Sequence, residues 1–236
     1  MKSSFSTFWE CPVSSTAKKE RKKIFGVVGI NQEYALYLAS QSPRRKEMLQ
    51  ALGIEFTVLT GKSEEKKPGE GVRPEEYTSD LARAKACAVL DLLPKSPKKQ
   101  LVLAADTVVV TERGHILGKP KDADDALAML ESLCGRTHTV TTAVSVLSKE
   151  NPELSFTFAD TCTVRFGSFS REILACYVAT GEPMDKAGAY AVQGQGAFLV
   201  KSLAGSWTTV VGLPLEQLAA KLCALEILLP RTNKKA

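Results

Sequence analysis

The sequence predicts an α/β fold with a mixed sheet, and three observations carry that prediction. Short apolar runs suited to buried strands alternate with stretches whose apolar residues recur at helical spacing. Two long β-type segments, 140–147 and 156–166, follow one another with no helix between them. They pair directly, so the sheet is mixed rather than purely parallel. No segment recurs at a fixed period, which excludes a repeat architecture.

The elements follow in chain order. Ordered structure is expected from about Tyr34, with Leu36-Tyr37-Leu38-Ala39 as a buried strand. Ser42-Pro43 opens a helix, Ser42 at the N-cap and Pro43 in its first position. Met48, Leu49 and Leu52 give that helix its apolar face, and Gly53 stops it. Ile54–Leu59 reads as a second strand, and the polar stretch 60–73 as a loop. Pro74–Leu93 is a helix with Tyr77, Leu81, Ala84, Ala88 and Leu92 on one side. Leu101–Ala105 and Val108–Val110 read as an apolar strand interrupted by Asp106-Thr107, with a hairpin turn at Arg113-Gly114. Ala123–Leu133 is a helix, and Ser170 caps another that runs to Thr180. Residues 188–201 mix glycines with short strands. Pro214–Leu229 closes the chain as a helix, with leucines at 215, 218, 222, 225 and 229.

Composition narrows the functional classes. The chain has 236 residues, 44% hydrophobic and 24% charged, an ordinary globular balance without a membrane-length apolar run. The net charge of +5 resides in the ends: residues 1–30 carry +4 and residues 231–236 carry +3, which leaves −2 for 31–230. A duplex-binding face needs clustered cations, so neither nucleic acid nor membrane is an expected partner. The six cysteines, at 11, 87, 134, 162, 176 and 223, form no C-x-x-C pair and read as reduced thiols. With only His115 and His138 present, a histidine-rich metal site is impossible. Residues 1–34 are expected to be a disordered basic leader, 35–229 a single catalytic domain and 230–236 a basic tail. The leader lacks the apolar core of a secretory signal. The cytoplasm is the expected location, with organelle targeting by the leader left open.

Four segments bear on chemistry. Ser40-Gln-Ser42-Pro-Arg44-Arg45 places cations in a helix's first turn, where the helix dipole favours acid. A phosphate held by N–H groups, hydroxyls and guanidinium forks would resolve the conflict; a solvated basic surface is the alternative. Asp106 breaks an otherwise apolar strand, and a buried carboxylate needs a cation, strong donors or a place in a cleft. A magnesium ion would serve, and so would backbone donors in a structural role. Lys119, in Gly118-Lys119-Pro120, is either a phosphate ligand or a solvated loop lysine. Gln193-Gly-Gln-Gly196 offers close backbone approach to a flat ligand and an amide for a base edge, or simply a tight turn. Neither a P-loop nor G-x-G-x-x-G is present.

Five ordered segments together resemble the Maf family of nucleotide pyrophosphatases: LYLASQSPRRKEML at 36–49, LAADTVVV at 103–110, ILGKPKDADDALAMLESLCGRTHTVTTAV at 116–144, MDKAGAYAVQGQGA at 184–197 and GSWTTVVGLPL at 205–215. The resemblance implies an elongated mixed sheet flanked by helices, with two lobes and a central cleft, as in inosine-triphosphate pyrophosphatases. It implies house-cleaning hydrolysis of nucleoside triphosphates to monophosphate and pyrophosphate, with a divalent cation (Mg²⁺, Mn²⁺ or Co²⁺), in a homodimer. By the same resemblance Asp106, Lys119 and Glu65 are catalytic, and Asp106 and Glu65 hold the metal. Ser40, Arg44, Arg45, Lys85, Thr107 and Gln193 bind substrate. Arg44, Thr107 and Gln193 resemble the dTTP/UTP branch, while Ala191 stands where glycine is common. The alternatives are a non-enzymatic nucleotide-binding regulator of cell division and a purine or 7-methyl-GTP pyrophosphatase.

Overall fold

A computed structural model describes residues 27–63, 68–69 and 71–231. Its main sheet is built on two long strands, β4 (Lys99–Thr111) and β6 (Thr137–Ser148), which pair antiparallel from Leu101↔Ser148 to Thr111↔His138. On the far side of β6 lie β7 (Phe156–Phe166) and then β8 (Val200–Ala204), both antiparallel. On the other side of β4 lie β2 (Tyr34–Leu38) and β3 (Thr57–Val58), both parallel. The short β5 (Ile116–Leu117) also pairs with β4 through the turn at Gly114. The order β3-β2-β4-β6-β7-β8 is therefore mixed, as expected.

Helices cover both faces. Strand side chains alternate between faces, so Val102 and Ala104 of β4 pack under Ala86 and Val89 of α2 (Pro74–Leu90). Leu101, Leu103 and Ala105 point the other way, onto Met48 and Leu49 of α1 (Pro43–Ala51) and Leu218 and Leu222 of a C-terminal helix, Leu215–Ala224. Farther along the sheet, Val109, Val140, Val164 and Phe166 meet α3 (Ala123–Leu133) and α4 (Arg171–Ala179).

Five sequence expectations need correction. The first strand, β1 (Val28–Ile30), begins ahead of Tyr34 and pairs with β9 (Leu228–Pro230). Residues 214–229 are accordingly not one helix: it stops at Ala224, and Glu226 takes a left-handed conformation (φ 54°) that turns the chain into β9. Residues 54–59 hold only the two-residue β3. Residues 188–199 hold the 3₁₀ turns Ala187–Ala189 and Gly194–Leu199 rather than short strands, with β8 starting at Val200. Most consequentially, β4 is not interrupted at 106–107: Asp106↔Ala143 and Thr107↔Thr142 continue its register with β6.

The topology opens a gap beside those two residues. On its β2 edge, β4 is paired only as far as Leu103, where the Ala39 N–H donates to the Leu103 carbonyl at 2.8 Å. Pairing resumes with β5 at Val109 and Val110. Between Leu103 and Val109 that edge has no strand partner among the described residues. Helix α1 starts beside the gap, after the carboxyl end of a parallel strand, which is where open α/β sheets place their ligand crevice.

Candidate active site

A cavity of about 950 Å³ occupies the gap. It is lined by Ser40, Arg44, Arg45, Lys85, Asp106, Thr107, Lys119 and Gln193, so eight of the nine residues singled out from the sequence share one hollow. The ninth, Glu65, lies outside the described residues.

The start of α1 explains its own departure from the acid-first rule. Its first turn holds no acid, and the Ser42 side chain makes no capping bond. The Ser42 N–H instead donates to Ser40 Oγ at 3.2 Å, so the hydroxyl two residues upstream serves the helix end. Arg45 turns back over this start and spends its fork on three protein acceptors. Nε donates to the Gly212 carbonyl at 2.8 Å, Nη1 to Ser40 Oγ at 3.2 Å and Nη2 to Thr107 Oγ1 at 3.1 Å. Burial lowers the Arg45 pKa from its ordinary value; the Asp106 charge opposes that drop, and neighbouring Arg44 adds to it. A guanidinium so placed remains charged and gains from an arriving anion.

The proton directions behind Arg45 are fixed. Thr142 is fully buried, and its hydroxyl donates to the Thr209 carbonyl at 2.7 Å. Its one proton being committed, it accepts from Thr107 Oγ1 at 2.9 Å. Thr107 therefore presents a lone pair to Arg45, so its hydroxyl orients the guanidinium in this structure. Neither Thr142 nor the Gly212 carbonyl was legible as a site group, because both reach Arg45 through tertiary contacts.

Asp106 sits on the opposite face of β4, and both faces reach the cavity because the edge between them is bare. Lys85, from α2, meets Asp106 Oδ1 at 2.5 Å. The pairing answers the burial cost that a carboxylate in an apolar strand otherwise carries. Lys119 is exposed on the cavity wall with no ion-pair partner among the described residues.

Sequence reasoning missed a second carboxylate. Asp185 lines the cavity, pairs with Arg44 Nη1 at 3.4 Å and accepts from Lys186 Nζ at 2.5 Å. Burial alone would raise its pKa, but Lys186 and then Arg44 hold it below the ordinary value. The pairing occupies Arg44 with an internal acid. The adjacent Asp185-Lys186 within the 184–197 motif was the available signal.

The Gly194 and Gly196 backbone does make close approaches, though to the protein itself. A Cβ on Gly194 would lie 2.6 Å from Glu182 Oε2, and one on Gly196 would lie 2.4 Å from Tyr177 Oη. These contacts fit the tight-turn alternative for this segment.

The model for the Maf-like protein family matches residues 35–225, the span that holds every element bordering this cavity. The chain belongs to the Maf-like protein family. Relatives of this Maf-like chain agree. It is 49% identical over 189 residues to a dTTP/UTP pyrophosphatase of Nitratidesulfovibrio vulgaris, covering 80% of this chain and 87% of the relative. It is 46% identical over 180 residues to a dTTP/UTP pyrophosphatase of Bacillus velezensis, covering 76% and 90%. A third dTTP/UTP pyrophosphatase, from Pelotomaculum thermopropionicum, is 46% identical over 187 residues, covering 79% and 94%.

Proposed function

We propose that this Maf-like chain hydrolyses dTTP and UTP to the nucleoside monophosphate and pyrophosphate. The single observation that carries the reading is the shared cavity, with Arg44, Arg45, Lys85 and Lys119 around Asp106 at the start of α1. Relatives that are 46–49% identical bear the corresponding name.

The triphosphate lies over the helix start. Ser40, Arg44, Arg45 and Lys119 bind its oxygens, and Arg44 exchanges Asp185 for phosphate. Asp106 positions or deprotonates the water whose attack cleaves between the α- and β-phosphates. Lys85 holds that carboxylate in place, and the cationic groups stabilise charge on the departing pyrophosphate. Gln193, exposed at the cavity's edge, reads the pyrimidine.

A divalent cation fits this donor set. No three acidic, histidine or cysteine side chains converge among the described residues. An ion of the magnesium class needs only one or two carboxylates, with phosphate oxygens and water completing its shell. Asp106 would hold it, with Glu65 as the family resemblance implies. When bound, the ion supplies charge neutralisation and Lewis-acid polarisation of the phosphates. A homodimer and a cytoplasmic location belong to the same proposal, and light scattering and cell fractionation test them. No helix among the described residues is long and apolar enough to cross a membrane.

The direct test is product analysis with UTP and Mg²⁺. Equimolar UMP and pyrophosphate are expected. UDP with orthophosphate, or no turnover with any of UTP, dTTP, GTP and 7-methyl-GTP, would overturn the reading; preference for a guanine nucleotide would overturn the pyrimidine assignment.

A further inference from the structure

Gln193 has no hydrogen-bond partner for its side chain among the described residues, so its aim depends on how its backbone is held. That backbone is clamped on both sides by one small network. Upstream, the Ala191 N–H donates to Tyr177 Oη at 3.2 Å. The Tyr177 hydroxyl in turn donates to Glu182 Oε1 at 2.9 Å. Downstream, the Gly196 N–H donates to the same Oε1 and the Gln195 N–H to Oε2, each at 2.9 Å. One carboxylate thus collects both flanks of Gln193. Gly194, at φ 81°, is the residue that lets the turn wrap so closely around it.

The same residue is tied to the phosphate side. The Glu182 carbonyl accepts from Lys186 Nζ at 2.6 Å, Lys186 also pairs with Asp185, and Asp185 pairs with Arg44. Glu182 touches neither the cavity wall formed by Asp106 nor any group assigned to the chemistry. Its carboxylate is engaged by Tyr177 and by the segment that carries the base reader.

We propose that Glu182, with Tyr177 as its second arm, is a positioning residue for base selectivity, holding Gln193 at the angle that distinguishes a pyrimidine. The inference rests on the reading of Gln193 as a base contact in a nucleotide pyrophosphatase. A uniform loss of stability is what a merely structural anchor would give. A positioning residue changes the ratio between substrates, because a misdirected amide loses its hydrogen bond to one base and its mismatch against another.

The experiment compares kcat/KM for UTP, CTP and GTP in wild type, Glu182→Gln and Tyr177→Phe, with the melting temperature of each. Glutamine keeps the shape but sets amide hydrogens against one backbone N–H. Phenylalanine removes only the shared hydroxyl. The expected result is a roughly tenfold fall in the UTP preference in Glu182→Gln, about one hydrogen bond's worth. A smaller fall in the same direction is expected in Tyr177→Phe, with kcat for UTP within about threefold of wild type in both. Unchanged ratios in both variants, whatever happens to melting, overturn the proposal and leave the pyrophosphatase reading standing. If wild type releases no pyrophosphate from any of the three, nor from dTTP or 7-methyl-GTP, that reading falls and this one with it.

Discussion

Arg45 is the residue through which sequence, geometry and function connect most tightly. Its three protein acceptors lie at one carbonyl and two hydroxyls, a pattern that a planar fork satisfies and an ammonium does not. Arg45→Lys should therefore lose about tenfold or more in kcat/KM for UTP, since hydrogen bonds from a charged group contribute about 1.5–3 kcal/mol. Equal kcat/KM in the variant would show that charge alone suffices. Thr142→Val tests the group behind it. The valine cannot accept from Thr107, whose hydroxyl is then no longer held in one orientation towards Arg45, so kcat should fall while Thr142→Ser restores it; identical kcat in both variants would remove Thr142 from the account. At this scale the sequence revealed types better than partners. The Arg44-Arg45 pair declared itself by standing where acid belongs, and Asp106 by breaking an apolar run. Asp185, Thr142 and the Gly212 carbonyl stayed hidden, because each gains its role from a neighbour more than 30 positions away.

At the scale of elements, strong local signals translated directly. Helix α3 occupies Ala123–Leu133 as its apolar spacing requires, and the Asp122 side chain caps it by accepting from the Asp125 N–H. Helix α1 begins at Pro43 as its proline requires. Misreadings came where pairing overrides local preference. Asp106 looked like a break in β4, yet β6 supplies an uninterrupted partner along it. The last turn of the expected 214–229 helix yields to β1, which recruits Leu228–Pro230 as a strand. Strand β6 carries a pH dependence. His138 lies buried with Nε2 on Tyr190 Oη at 2.9 Å and Nδ1 without a partner among the described residues, and burial lowers its pKa from 6.5 to about 4. Protonation thus favours the unfolded chain between those values: the stabilisation is present above pH 6.5 and is lost as pH falls toward 4. Urea unfolding should show about 2 kcal/mol less stability from this group at pH 5 than at pH 7. The His138→Leu variant should show a correspondingly smaller drop between the two pH values. An equal drop in both proteins would mean that His138 is not the group responsible.

The whole molecule places two opposite faces of one strand in a single hollow. Strand β2 ends early, β5 starts late, and the bare stretch of β4 between them shows Asp106 to α2 and Thr107 to α1. A cation-rich helix start and a lysine-held carboxylate thereby face one cavity without a P-loop. Because no three acidic, histidine or cysteine side chains converge among the described residues, a bound ion would be held weakly and turnover should require added metal: dialysis against EDTA should abolish pyrophosphate release, and Mg²⁺ should restore it. Full activity after chelation would exclude a dissociable divalent ion. The central claim, that Asp106 performs the cleavage in this hollow, is tested most directly by following UTP with wild type and Asp106→Asn side by side. Asparagine is close in volume, keeps the strand pairing and leaves an amide oxygen for Lys85, so the variant should stay folded, at a lower melting temperature for the lost ion pair, yet release pyrophosphate at less than about one thousandth of the wild-type rate. Near-normal pyrophosphate release by a folded Asp106→Asn protein would contradict the account.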